Sequence, residues 1–246
     1  MDSFNDKQCL VTGAASGIGL AVSQALKQAG ARVIMADIDD NGANLAQELG
    51  ATFVKLDVTD PQAWAQFAQE APNLDYLHLN AGIQIAPPDA PLEDYQFQNM
   101  DLTRYRRMMG VNVDGVVFGL HSYLPKMNSG GAIVVTSSLA GITPYEVDPL
   151  YSMSKHAVSG LVRSLASTCA QANLRINAIC PGGIDTNIIP HEQRVRAAVF
   201  MTPACLADEV LKLFTTVENG KTWAKVAENK PAWIIRAPGD KASSSR

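Results

Sequence analysis

No part of this chain limits its fold more than the stretch from Gln8 to Gly30. Gln8–Thr12 is a short apolar run, suited to a strand buried on both faces of a sheet. Behind it, Gly13-x-x-x-Gly17-x-Gly19 opens a helix in which Ile18, Val22, Ala25, Leu26 and Ala29 form one apolar stripe, closed by Gly30. Glycines let a backbone turn sharply and approach a pyrophosphate, which then lies at the positive end of the helix. A bare glycine pattern is only a tight turn. A strand before it and a helix after it turn it into a candidate dinucleotide site, with Ser16 in the same turn.

The same alternation continues. Strands are expected at 32–37, 52–56, 74–79, 132–136, 174–179 and 232–236, with helices near 41–49, 101–127, 151–172 and 206–217 and another starting at 60 with Trp64, Phe67 and Ala68 on its inner face. Asp60-Pro61 reads as a helix start, the aspartate capping and the proline in the first turn. The stretches 83–100, 137–149 and 184–204 read as irregular. Strands alternating with helices predict an α/β protein: one doubly wound, Rossmann-like domain over residues 1–238, with a parallel sheet of about seven strands. Residues 239–246 form a small, polar tail expected to be disordered.

Several function classes are disfavoured. The net charge is −4 and Lys and Arg are scattered, with no basic run beyond Arg104, Arg106 and Arg107, which argues against nucleic acid. The polar N-terminus lacks a signal peptide's apolar core, and no apolar stretch approaches the roughly 20 residues of a membrane span. Cys9, Cys169, Cys180 and Cys205 are too few and too spread for a disulfide framework, so reduced thiols in a cytoplasmic protein are expected. His78, His121, His156 and His191 show no metal-ligand spacing, and no metal is expected.

Asp37 closes the second strand, 20 residues beyond Gly17, where an acid can accept hydrogen bonds from an adenosine ribose. Its carboxylate would repel a 2′-phosphate, and Ser16 and Ile38 stand where a rescuing cation would be. NAD is therefore expected rather than NADP. Further on, Tyr151 is the one tyrosine of six with a lysine four residues later. On a helix Tyr151 and Lys155 share a face, and an ammonium there favours phenolate, lowering the phenol's pKa toward working pH. The spacing alone fits an exposed polar helix face equally well.

Taken in order, Thr12–Gly19, Asp57-Val58, Asn80-Ala81-Gly82, Asn112, Ser138, Tyr151-x-x-x-Lys155 and Pro181-Gly182 resemble the short-chain dehydrogenase/reductase family over about residues 7–186. The resemblance implies that Tyr151 is the general acid/base and that Lys155 lowers its pKa and holds the nicotinamide ribose. It implies that Ser138, favoured by spacing over Ser137, holds the substrate oxygen, and that Asn112 supports a water linking Lys155 to solvent. It places Ile18 at the pyrophosphate turn, Asp57 and Val58 beside the adenine, and Asn80, Ala81 and Gly82 along the cofactor's path. Pro181, Gly182, Ile184 and Thr186 fall at the nicotinamide end.

The segments around that site carry Ile85, Tyr145, Ile188, Ile189, Val199, Phe200 and Met201, so an apolar secondary alcohol or ketone is the expected substrate. His191, Arg194 and Arg196 read as a solvated loop face. The C-terminal stretches 221–226 and 231–238 depart from the commonest family ending and resemble members acting on hydroxylated fatty or prostanoid-type alcohols. Small residues at Gly115, Gly119, Ala157, Gly160 and Ser164 suggest close helix contacts in a homodimer or homotetramer. A 3-oxoacyl thioester reductase and a non-catalytic NAD(H) sensor are the alternative readings.

Overall fold

In the computed structural model, which describes residues 3–87, 89–189 and 200–236, the apolar runs become strands of one sheet. The strands are β1 (Gln8–Thr12), β2 (Arg32–Asp37), β3 (Thr52–Lys55), β4 (Leu74–Leu79), β5 (Met127–Thr136), β6 (Arg175–Pro181), β7 (Thr222–Lys225) and β8 (Trp233–Ile235). Their order is β3-β2-β1-β4-β5-β6-β7-β8, parallel from β3 to β7. Among the described residues the sheet thus has eight strands, not about seven. The strand that was not anticipated is β7, whose Thr-Trp-Ala-Lys is too short and polar to signal itself but pairs along Ala178–Pro181. β8 is antiparallel to β7, because the connection 226–232 is too short for a crossover, which takes roughly a dozen residues.

Alternate side chains on each strand enter opposite cores. On one face α1 (Gly17–Gln28) and α7 (Pro203–Thr215) pack Val22, Leu26, Leu206, Val210 and Phe214 against Val11, Met35 and Val134. On the other, α3 (Pro61–Glu70), α5 (Gly115–Tyr123) and α6 (Pro149–Gln171) bring Trp64, Leu120, Tyr123, Val158 and Val162 onto Leu10, Leu77, Ile133 and Ile176. The remaining helix on the β2–β3 connection is α2 (Gly42–Leu49). Asp60 caps α3 as expected, accepting from Gln62 N at 2.8 Å and Ala63 N at 3.2 Å, with Pro61 in the first turn. Such a cap contributes about 1 kcal/mol.

The long helix expected over 101–127 is α4 (Leu102–Met109) and α5, joined by a π-turn at Gly110–Asp114. Gly115 and Gly119 face the chain's own core. A Cβ on Gly119 would meet Leu79 Cδ2 at 2.6 Å, and one on Gly115 would meet Val58 Cγ2 at 2.9 Å. These glycines let α5 lie close on the chain's own core. On α6, by contrast, Ala157, Gly160 and Ser164 are exposed, and a Cβ on Gly160 would meet nothing within 4 Å. All four cysteines are free thiols. Among the described residues no helix is long and apolar enough to cross a membrane, and no His/Cys/Asp/Glu group could hold a metal.

A buried histidine ties the fold to the site. His78 Nε2 lies 2.8 Å from Thr136 Oγ1, whose own proton goes to Asn80 Oδ1 at 3.1 Å. That network assigns the proton to Nε2 and leaves Nδ1 bare, without a partner in the core. Burial lowers the imidazole pKa to about 3 from 6.5. Between these values the unfolded chain binds the extra proton and the folded one does not, so stability falls as the pH drops below about 6.5. The slope attributable to His78 is up to about 1.4 kcal/mol per pH unit. Urea midpoints of wild type and His78→Gln, compared from pH 7.5 to 5, should show the flatter profile in the variant. Equal slopes would remove His78 from the account.

Candidate active site

The strand order reverses between β1 and β4, and the crevice outside their C-terminal ends is where open α/β sheets take ligands. There the chain forms a cavity of about 820 Å³. Its wall includes Gly13, Ser16, Gly17, Ile18, Asp37, Asp57, Val58, Asn80, Ala81, Gly82, Ser138, Tyr151, Lys155, Pro181, Gly182, Ile184 and Thr186. Of the residues singled out in the sequence, Gly19 and Asn112 lie behind that wall.

At one end sits the glycine turn. Gly13 has φ +65°, and a Cβ there would lie 2.9 Å from Ala81 Cα. A Cβ on Gly19 would lie 2.1 Å from the Gly13 carbonyl oxygen, so this residue closes the turn from below. Thr12 and Asn80 clamp the two strand ends: Asn80 N donates to Thr12 Oγ1 at 2.9 Å, and Asn80 Nδ2 to Thr12 O at 3.1 Å. Ser16 precedes α1 without a side-chain capping bond, and the first turn of α1 holds no acid. The uncapped amides and the tight, side-chain-free turn fit a pyrophosphate. Asp37 flanks the turn, accepting from Ala15 N at 2.8 Å through Oδ2 and from Asp39 N at 3.0 Å through Oδ1. Asp57 spends Oδ1 on Thr59 N and Thr59 Oγ1, at 2.9 and 2.8 Å, which shapes the wall at Val58.

At the other end is the first turn of α6. Asp148 caps that helix, accepting from Tyr151 N at 2.8 Å, and its other oxygen accepts from Ile85 N at 3.0 Å. Burial holds this carboxyl above its usual range, opposed by the amides of Tyr151, Ile85 and Leu150. One carboxylate therefore fixes both the tyrosine's backbone and the loop after β4. The Ser138 side chain stands beside the Tyr151 phenol, where it lowers the phenol's pKa, and caps the next turn, its Oγ accepting from Ala140 N at 3.1 Å. Ser137 is turned away, bonded to the Lys155 carbonyl at 3.0 Å and to Ser159 Oγ at 2.8 Å. Gly141 permits that contact, since a Cβ there would lie 2.6 Å from the Lys155 carbonyl oxygen.

Lys155 is buried, its Nζ donating to the Thr136 carbonyl at 3.0 Å and lying 5.6 Å from the Tyr151 ring centre. Burial lowers its pKa to about 8. The Tyr151 phenol moves the other way: burial raises its pKa, and the Ser138 side chain only partly offsets this. The expectation that the lysine would bring the phenol down is thus corrected for the protein without ligand, because desolvation outweighs a charge that is itself expensive to keep.

Asn112 sits in the π-turn, fully buried, pairing with Ile83 N and Ile83 O at 2.8 Å each and donating to Ser154 Oγ at 3.1 Å. Its amide latches the loop after β4 to α6. The expected substrate wall is partly realised: Ile85, Tyr145, Ile188, Ile189 and Phe200 line the cavity, whereas Met201 is buried beneath it. Val199, His191, Arg194, Arg196 and the tail 239–246 lie outside the described residues. Thr136, Gly141 and Asp148 were missed from sequence, since each acts on a partner remote along the chain. Arg104 and Arg107, noted only as a short basic run, turn out to line the cavity.

Comparison with known proteins agrees with this arrangement. The short chain dehydrogenase family model matches residues 7–196. The cis-4-hydroxycyclohexanecarboxylate dehydrogenase of Sinomonas cyclohexanicum is 36% identical over 199 residues, covering 76% of this chain and 77% of its own. The mitochondrial borneol dehydrogenase of Lavandula x intermedia is 37% identical over 186 residues, covering 71% and 68%. The solved structure of a 3-oxoacyl-[acyl-carrier protein] reductase from Brucella melitensis with bound NAD superposes with a TM-score of 0.81 at 29% identity, over 92% of this chain and 91% of that one. With a nicotinamide-type crevice, a Tyr-x-x-x-Lys helix and a match over most of its length, the chain is an oxidoreductase that belongs to the short-chain dehydrogenase/reductase family.

Proposed function

We propose that this protein is an NAD-dependent dehydrogenase interconverting an apolar secondary alcohol and its ketone. The observation that carries the reading is the Tyr151 phenol, lining the cavity together with Ser138, backed by Lys155 and sharing the wall with Ile85, Tyr145 and Ile188. When bound, the nicotinamide ring supplies the hydride or takes it. Tyr151 gives or takes the hydroxyl proton, while Ser138 holds the same oxygen in place. Lys155 is charged below a pH of about 8 and stabilises the phenolate in the oxidative direction. Because burial keeps the phenol protonated, ketone reduction proceeds at neutral pH, and alcohol oxidation quickens as the pH rises toward about 8, where Lys155 begins to lose the charge that supports the phenolate. Two ring-alcohol dehydrogenases among the relatives support a compact secondary alcohol.

The cofactor choice rests on Asp37, which lines the cavity with the apolar, exposed Ile38 beside it. A carboxylate can accept from a ribose hydroxyl and repels a 2′-phosphate. Titrated fluorimetrically, wild type should bind NADH more tightly than NADPH, and Asp37→Ser should weaken NADH by about tenfold to hundredfold, the range of a charged hydrogen bond. An NADPH preference in wild type would overturn the choice of NAD. Turnover of cyclohexanol-type alcohols over straight-chain primary alcohols tests the substrate class.

A further inference from the structure

Most of the cavity's charge is explained by the reading above, but two cations are not. Arg104 and Arg107 stand on α4 three residues apart, hence on one face, and both line the cavity, as does Val111 one turn further on. Arg106 is not part of the wall. The Arg104 guanidinium lies 4.8 Å over the Tyr95 ring, a contact that orients the cation without neutralising it. Tyr95 in turn packs on the cluster formed by Ile85, Met108 and Tyr151, so this arginine is fixed at the substrate end of the cavity. The acids of the wall, Asp37 and Asp57, belong to the glycine-turn end and already accept backbone amides. Among the described residues neither guanidinium pairs with a carboxylate.

Arg104, half-buried, and Arg107, exposed at the rim, put two cations on one stretch of the wall, where their field favours an anionic group on a ligand. We propose that the substrate is a secondary alcohol or ketone with an apolar body and a carboxylate, and that Arg104 and Arg107 hold that carboxylate. The proposal rests on the dehydrogenase reading of the same cavity and adds its specificity. Guanidinium is suited to the task because its planar donors match the two oxygens of a carboxylate. The carboxylate end is held at the α4 wall and the carbinol end at Tyr151 and Ser138, so the group fixes which carbon faces the cofactor. A hydrogen bond to a charged group is worth about a tenfold to hundredfold preference.

The test compares 4-hydroxycyclohexanecarboxylate with its methyl ester as NAD-linked substrates, and cyclohexanecarboxylate with cyclohexanecarboxamide as unreactive ligands in calorimetry with NADH present. In wild type, kcat/KM for the acid should exceed that for the ester by about tenfold or more, with the difference carried in KM. In the Arg104→Gln, Arg107→Gln double variant that ratio should fall toward one, and cyclohexanecarboxylate should bind no better than the amide. An unchanged ratio in the variant overturns the proposal. So does a loss of NADH affinity in step with the acid's, which would make the arginines cofactor contacts. Ester turnover without preference for the acid sinks the carboxylate alone and leaves the dehydrogenase standing. If neither is turned over, ring-alcohol chemistry fails, and the calorimetric acid-to-amide difference still decides the arginine site.

Discussion

Replacing Tyr151 with phenylalanine should lower kcat for alcohol oxidation by between about 10²- and 10⁴-fold, the range that a positioned acid/base contributes. The substitution removes one oxygen and little else. The ring stays edge-on to Tyr145, with centroids 6.1 Å apart, and keeps its place among Ile85, Met108, Ala140 and Leu150. Removing the phenol oxygen beside Ser138 costs at most about 1 kcal/mol of stability, so the variant folds and retains NADH. A hydride step alone cannot proceed without somewhere for the hydroxyl proton to go, and among the described residues the Tyr151 phenol is the acid/base group beside Ser138. The pH profile separates this account from a packing effect. Since burial raises the phenol's pKa and Ser138 lowers it, oxidation by wild type should rise with pH up to about 8, where Lys155 starts to lose its charge, and Ser138→Ala should move the rising limb to higher pH. A Tyr151→Phe enzyme within tenfold of wild type, or a Ser138→Ala limb moving to lower pH, would end the assignment.

What could be read from the sequence was what depends on neighbours along the chain. The strand, glycine turn and helix of residues 8–28 are local, and so is the Asp60-Pro61 cap, and all formed as their residue types require. What could not be read depends on contacts between distant segments. Asn112 looked out of place inside a helix because spacing carries no sign of a π-turn, and its amide partner, Ile83, lies 29 residues away. Gly119 reads as a small residue open to a partner helix until β4 places Leu79 against it. The sign of the Tyr151 pKa shift followed the same rule. Four-residue spacing brings the lysine near, but the cluster that desolvates both groups is assembled from three parts of the chain. Nor does Thr222–Lys225 announce itself as a strand, since its pairing with β6 supplies the hydrogen bonds its composition does not promise.

Lys155→Met should make the protein more stable while removing most of its turnover. A lysine moved from 10.5 to about 8 by burial carries a penalty of roughly 3 kcal/mol in its charged form at neutral pH. Methionine fills nearly the same volume without the charge. It gives up the 3.0 Å bond to the Thr136 carbonyl, which offsets about 1 kcal/mol of the gain. For a chain of this length the remainder raises Tm by several degrees. The sign of the pH dependence is fixed. Folded Lys155 loses its proton near 8, while the unfolded lysine keeps one until about 10.5, so wild type recovers stability across that interval. The variant's advantage should be full at pH 7 and much smaller at pH 9.5, as read from thermal melts at the two values. Oxidation by the same protein should fall about 10²- to 10³-fold, the effect of losing one preorganised charge beside a developing anion. A variant that melts below wild type at pH 7 would mean that the ammonium is a structural post. A variant that melts above it and is inactive would mean that the chain tolerates a destabilising buried charge because the phenolate of Tyr151 needs one.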